Sequence, residues 1–70
     1  MNEISRVWTQ LKIKHKDRTI PGSYSTEKGL VYVRAEGREK IAQIGLSRPR
    51  ALAQMMIRQI AQDIQAGLDL

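Results

Sequence analysis

Apolar and polar residues alternate along two neighbouring stretches in the middle of the chain, residues 30–36 and 38–46. An alternation with a period of two is typical of a β-strand that buries one face. The apolar side consists of Val31, Val33 and Ala35 in the first stretch and of Ala42, Ile44 and Leu46 in the second. Gly37 stands between the two stretches and can adopt the positive φ of a tight turn. The pattern therefore predicts a β-hairpin with one buried face.

An alternating segment also precedes the hairpin, at residues 6–14, and it predicts a further strand. Its apolar side contains Leu11 and Ile13, while Trp8, Lys12 and Lys14 fall on the opposite side. A short N-terminal helix over residues 4–14 is the competing interpretation. In that helix the buried positions would be Ile4, Val7, Trp8 and Leu11.

The intervening segment, residues 16–25, contains residues that break regular structure. Pro21-Gly22 is a strong turn signal, and Asp17 can start a turn as well. We therefore predict that the chain turns at Pro21-Gly22, that residues 23–25 form at most a short strand, and that Lys28-Gly29 turns the chain again.

The last third of the chain has the period of a helix. Ser47 is a candidate N-cap, Pro49 suits the first turn and Gly67 is a candidate C-cap, so we predict a helix at about 48–66. One face of this helix is apolar and consists of Leu52, Ala53, Met56, Ile57, Ile60, Ala61 and Ile64. We therefore predict a single α+β domain over residues 1–70. It has a three- to four-stranded antiparallel sheet with one C-terminal helix packed on one face.

The charge of the chain narrows the kind of partner that it would bind. Twelve Lys and Arg stand against seven Asp and Glu, which gives a net charge of +5, and of the twelve only Arg58 lies beyond residue 50. The positive charge therefore belongs mainly to the strand region. Such an asymmetry favours an anionic partner, most often nucleic acid, although a solvated basic surface is the alternative.

The residues that carry chemistry are few. The chain has no cysteine and one histidine, His15, which we expect at the surface, so neither a disulfide framework nor a thiolate zinc site is expected. We find no phosphate-binding glycine loop and no spacing that would bring a nucleophile, a base and an acid together. We predict a protein that is not an enzyme, with no catalytic residue, metal or cofactor. A polar N-terminus without an apolar run of about 20 residues further predicts a cytoplasmic protein that does not enter a membrane.

The sheet face opposite the helix is the candidate binding surface. The candidate DNA-contacting residues are Lys12, Lys14, Tyr24, Tyr32, Arg34, Arg38, Lys40 and Gln43. Lys and Arg contact phosphates, Arg and Gln bond base edges, and a sheet can enter the major groove. The plainer interpretation is that this face is only solvated, with Lys12 and Lys14 protecting an edge strand from aggregation.

Three further residues suggest a protein interface instead, namely Trp8, Met55 and Met56. Trp is a frequent interface anchor, and Met adapts readily to partner surfaces. A host or phage protein and a second copy of this chain, bound through the helix, are the partners that this interpretation predicts.

The hairpin region also resembles a known family. The residues in question are GSY (22–24), KGLVYVR (28–34), Gly37, Lys40 and IG (44–45), followed by a helix that carries Ala and Arg. Over residues 20–66 the chain resembles the arm-type DNA-binding domain of phage and transposon integrases, and the related plant ethylene-response domain. This resemblance implies three antiparallel strands and a helix, with the sheet in the major groove.

Carried over by position, the resemblance implies groove contacts from Tyr32, Arg34, Lys40 and Gln43 and phosphate contacts from Ser23 and Tyr24. The chain departs from the family pattern in two respects, because residues 1–70 include no recombinase domain and residues 1–19 are expected to add a strand. The leading prediction is a small DNA-binding protein of phage or mobile-element type that contacts duplex DNA. The alternatives are a phage-encoded protein-binding module or inhibitor that occupies a host protein's surface, and a structural subunit that forms a homo-oligomer.

Overall fold

The structure, a computed structural model, describes residues 7–68. These residues form four strands and one helix in the order β1 (Thr9–His15), β2 (Arg18–Glu27), β3 (Leu30–Ala35), β4 (Arg38–Gln43) and α1 (Pro49–Leu68). The strands make one antiparallel sheet in the order β1-β2-β3-β4, so each strand pairs with its neighbours in the sequence. The predicted α+β fold, an antiparallel sheet with a C-terminal helix packed on one face, is confirmed.

The core lies between α1 and one face of the sheet, which we call the helix face. The buried apolar residues are Leu11, Ile13, Ile20, Val31, Val33, Ala35, Leu52, Ala53, Met56, Ile57, Ile60 and Ala61. They include the alternating residues of β3 and six of the seven residues in the predicted helix stripe. The seventh, Ile64, is partly buried against the same core, as are Ala42 and Ile44. Burial of this shared face explains both periodicities in the sequence.

The segment that we predicted to turn at Pro21-Gly22 is instead the long strand β2, so that prediction is wrong. The hairpin between β1 and β2 turns at residues 16–17, where Lys16 has φ 60°. Gly22 is needed for close packing, because a Cβ at this position would lie 2.8 Å from the Ile57 Cδ1 atom. Pro21 is tolerated because pairing with β3 begins only at Gly22, so the missing N–H of Pro21 falls beyond that ladder.

The other two hairpins turn where glycine was expected to turn them. Lys28 and Gly29 have φ values of 52° and 78°, and Glu36 and Gly37 have values of 53° and 76°. Positive φ at both central residues defines the two-residue turn whose twist matches the flanking strands. Arg38 is already part of β4, opposite Ala35.

β4 is shorter than predicted, because the chain leaves the sheet after Gln43. Ile44 still donates its N–H to the Gly29 carbonyl at 2.9 Å, and Gly45 then adopts a φ of 58°. This change of direction carries Leu46 away from the sheet. Leu46 is therefore fully exposed, and its predicted place on the buried face is wrong.

The two predicted helix caps also differ from those observed. The Arg48 carbonyl accepts the N–H of Leu52 at 2.9 Å, so Arg48 occupies the N-cap position and Pro49 is the first helical residue. Ser47 lies one residue too early, and its N–H donates to the Ile44 carbonyl. Gly67 is helical without a positive φ and is not a C-cap.

The N-terminal segment is a strand from Thr9 onwards and not a helix. Residues 4–6 of the predicted elements, with Ile4, lie outside the described residues. Within residues 7–68, no helix has both the length and the apolar composition that crossing a membrane requires.

Candidate nucleic-acid interface

The sheet face that points away from α1, which we call the outer face, follows from the strand register. Residues directly opposite each other in an antiparallel ladder share a face. Because Val31, Val33 and Ala35 face the helix, the alternate residues of β3 and their partners face outward. The outer face therefore contains Gln10, Lys12, Lys14, Thr19, Pro21, Ser23, Ser25, Glu27, Leu30, Tyr32, Arg34, Glu39, Ile41 and Gln43.

Arg34 is held by two side chains near the middle of the outer face. Its Nε donates a hydrogen bond to Glu39 Oε2 at 2.9 Å, across the β3–β4 ladder. Its guanidinium carbon lies 4.3 Å from the centre of the Trp8 ring, within the range of a cation–π contact. A long, flexible side chain is thereby given two fixed neighbours.

Trp8 and Tyr32 flank a packed centre on the same face. Ser25 lies opposite Tyr32 of β3. One step beyond the Thr9–Tyr24 pair, the β1–β2 register places Trp8 on the other side of Ser25. Ser25 is only 3% exposed, although it lies on the face opposite the helix. The outer face is therefore not merely a layer of solvated side chains.

Two lysines extend this surface along the edge strand β1. Lys12 and Lys14 are exposed and lie opposite Pro21 and Thr19. Their Cα atoms are about 7 Å apart along the strand, and β1 lies about 10 Å from β3 in the sheet. Of the predicted DNA-contacting residues, the structure thus brings Lys12, Lys14, Tyr32, Arg34 and Gln43 onto one face.

Three predicted residues do not join them. Tyr24 lies opposite Val33 and packs partly buried against the core, so it does not lie on the outer face with the others. Lys40 also lies opposite Val33, and its Nζ is 3.7 Å from Asp63 Oδ2 of α1. Arg38 lies opposite Ala35 on the same side. Both basic residues therefore belong to the helix side of β4, and the groove contact carried over to Lys40 is not supported.

The predicted protein-interface residues do not form one surface either. Met56 is buried in the core under the sheet, whereas Met55 is exposed on α1 and Trp8 lies on the outer face. The apolar face of α1, which suggested a homodimer, thus packs against the sheet of the same chain. His15, predicted at the surface, is half-buried, and its Nε2 is enclosed with no hydrogen-bond partner in the described part of the chain.

The charge of the outer face is more balanced than the sequence suggested. Its cations are Lys12, Lys14 and Arg34, and its carboxylates are Glu27 and Glu39. The other described cations lie in turns, on the helix side or on α1. Sequence reasoning missed Glu39 as a functional residue. The signal that would have found it is its register position opposite Arg34 in the predicted hairpin.

A shallow hollow of about 300 Å³ lies at the β3–β4 hairpin, beside this ion pair. Its lining residues are Arg34, Ala35, Gly37, Arg38 and Glu39. Among residues 7–68, no three His, Cys, Asp or Glu side chains are grouped so as to hold a metal ion. The side chains of the outer face offer hydrogen bonding, stacking and charge.

No protein-family model, curated protein or solved structure matches the chain. The integrase resemblance therefore stays an expectation, and the functional inference depends on the geometry of the outer face.

Proposed function

We propose that the protein is a small, non-enzymatic DNA-binding protein of phage or mobile-element type, which places its outer face in the major groove of duplex DNA. The observation that carries the proposal is the arrangement of Arg34 between Trp8 and Glu39, with Lys12 and Lys14 on the adjacent edge strand. This arrangement combines a residue type that bonds base edges with residue types that bond phosphates. We also propose that the protein acts in the cytoplasm, because the DNA of a phage or mobile element is accessible there.

Two of the four strands can occupy the groove. The major groove of B-DNA is about 12 Å wide and accepts a two-stranded β-ribbon. With β3 at the floor of the groove, β1 lies about 10 Å to one side, which brings Lys12 and Lys14 towards the phosphates of one strand. Gln43 and Tyr32, on β4 and β3, then face the bases beside Arg34. The helix remains outside the groove and supports the sheet from behind.

The test is titration of the protein into a labelled duplex at several salt concentrations, followed by anisotropy. Trp8 is the only tryptophan in the chain, so its fluorescence reports on the outer face in the same titration. Each phosphate contact contributes about 0.9 to the slope of log affinity against log salt. We expect the double variant Lys12→Gln with Lys14→Gln to lower this slope by about 1.8 and to weaken binding at 0.1 M salt by about 60-fold.

A matched control separates the outer face from net charge. The double variant Arg50→Gln with Arg58→Gln removes the same charge from exposed positions on α1. It should leave the slope unchanged, since neither residue faces the groove. Equal losses in the two double variants would contradict binding through the outer face, and no binding of duplex at low salt would contradict the proposed function altogether.

A second candidate function is a protein-binding module that occupies a host or phage protein. The observation that favours it is Ile41, which is 56% exposed on the outer face, directly opposite Tyr32. Trp, Tyr and Arg dominate the energetics of many protein interfaces, and all three lie on this face. Formation of a defined complex with a protein, together with no anisotropy change on titration into DNA, would decide for it. Sedimentation at two concentrations tests whether that protein is a second copy.

A further inference from the structure

The Arg34–Glu39 pair reduces the attraction of the outer face for phosphates. The two groups are joined by a 2.9 Å hydrogen bond, and both side chains are about half exposed. A carboxylate in contact with a guanidinium cancels most of its field at the distance from which a phosphate approaches. An arginine that contacted only the DNA backbone would attract a phosphate more strongly without this carboxylate beside it.

The geometry of the pair leaves the far end of Arg34 suited to another task. The bond to Glu39 uses Nε, whereas the two Nη groups lie at the tip of the guanidinium. The Trp8 ring centre lies 4.3 Å from the guanidinium carbon, so Arg34 has an aromatic neighbour as well as Glu39. A planar donor pair matches the O6 and N7 acceptors of guanine, which is the commonest specific contact of arginine in the major groove.

We propose that Glu39 makes Arg34 a sequence-discriminating residue, one that recognises guanine and disfavours binding to DNA that lacks guanine at that position. This inference rests on the proposed DNA-binding function. A neutral base edge offers Arg34 two acceptors without repelling Glu39, whereas a phosphate that replaced the base would lie close to the carboxylate. Specificity of this kind combines an attractive contact with a repulsive one.

The experiment is selection of duplexes from a random pool by the wild-type protein, followed by affinity measurements on the selected duplex and a scrambled one. We expect the selected sequences to share a guanine and to bind on the order of ten- to a hundredfold more tightly than the scrambled duplex. In Glu39→Gln, Arg34 is released to contact phosphate. The scrambled duplex should then bind about eightfold more tightly at 0.1 M salt, with a slope steeper by about 0.9. The ratio of the two affinities should fall about tenfold.

Two further variants identify the cause. Glu27→Gln removes the other carboxylate of the outer face, away from Arg34, and should leave the affinity ratio and the slope as in the wild type. Arg34→Lys keeps the charge but loses the planar donor pair. It should bind the scrambled duplex like the wild type and lose its preference for the selected one. Because this variant makes no change in charge, an unchanged preference in it would overturn the role of Arg34 even if Glu39→Gln fails to fold.

The outcomes separate the two proposals. A wild-type protein that binds every duplex with equal affinity would overturn the role of Arg34 and Glu39 while leaving DNA binding in place. An unchanged affinity ratio in Glu39→Gln, or in Arg34→Lys, would overturn it as well. A wild-type protein that binds no duplex would overturn both proposals together.

Discussion

Replacing Gly22 with alanine tests how closely the helix approaches the sheet. Gly22 lies on the helix face of β2, opposite Leu11 and Ala35. A Cβ at this position would lie 2.8 Å from Ile57 Cδ1, 3.0 Å from the Arg34 carbonyl oxygen and 3.3 Å from Ala35 Cβ. All three distances are shorter than ordinary van der Waals contact, and the second neighbour is backbone, which cannot rotate away.

The expected effect is the balance of two terms of opposite sign. Overpacking of a core by one methyl group costs about 1–3 kcal/mol. Replacing glycine by alanine in a permitted conformation stabilises by about 0.4–1 kcal/mol, because the unfolded chain loses freedom. Gly22 has no positive φ, so this favourable term applies. We therefore expect a net loss of about 1–2 kcal/mol, which lowers the melting temperature of a domain this small by about 4–16 °C.

The cause can be assigned with Ile57→Val, which removes the Cδ1 atom that the new methyl group would meet. Alone, this change should destabilise by about 0.5–1.5 kcal/mol. The double variant with Gly22→Ala should lose less unfolding free energy than the two single variants together, with a coupling energy of about 0.5–1 kcal/mol. Urea unfolding of the wild type, the two single variants and the double variant measures it. The contact with the Arg34 carbonyl remains, so rescue should be partial.

Two results would refute the described packing. A Gly22→Ala protein as stable as the wild type, or more stable, would mean that α1 lies farther from β2 than the structure places it. Strict additivity with Ile57→Val would mean that the methyl group meets something other than Ile57.

The other predictions concern the two neighbouring methionines of α1 and the turn between β2 and β3. Met56→Ala should lower the unfolding free energy by about 2–5 kcal/mol because Met56 is buried. Met55→Ala should change it by less than about 0.5 kcal/mol because Met55 is exposed. Equal effects of the two changes in thermal unfolding would contradict the orientation of α1. Lys28 has a φ of 52°, so Lys28→Asn should raise the melting temperature slightly, and Lys28→Val, a β-branched residue in a left-handed conformation, should lower it. The reverse order would mean that this turn has another geometry.

Much of the fold was predictable because the buried face imposes its period on the sequence. Val31, Val33 and the stripe of α1 contact one another, so a period of two and a period of 3.6 mark the two sides of one core. The turn preference of Pro21-Gly22 is a local property, and the packing of the helix on β2 overrides it. Glycine is favoured within this strand by the approach of Ile57, which lies 35 positions further along the chain.

The candidate site was less predictable because it depends on the register of β2. A shift of one residue moves every side chain of a strand to the other face. Without β2 as a full strand, nothing in the sequence shows that Tyr24 packs with Val33 while Ser23 lies beside Arg34. The ion pair of Lys40 with Asp63 and the contact of Trp8 with Arg34 likewise join segments that sequence patterns cannot place relative to each other.

The order of the strands also bears on how the chain folds during synthesis. Because every strand pairs with its sequence neighbour, the sheet consists of successive hairpins, which close short loops and form within microseconds. The 20 residues of α1 follow the sheet in the sequence, and the apolar side of the sheet is buried against this helix. A sheet that forms before α1 packs on it therefore has its apolar side uncovered. The core is therefore completed only when the helix packs on the sheet. Chains interrupted before residue 49 lack α1, and they are the ones most exposed to aggregation and to capture by chaperones.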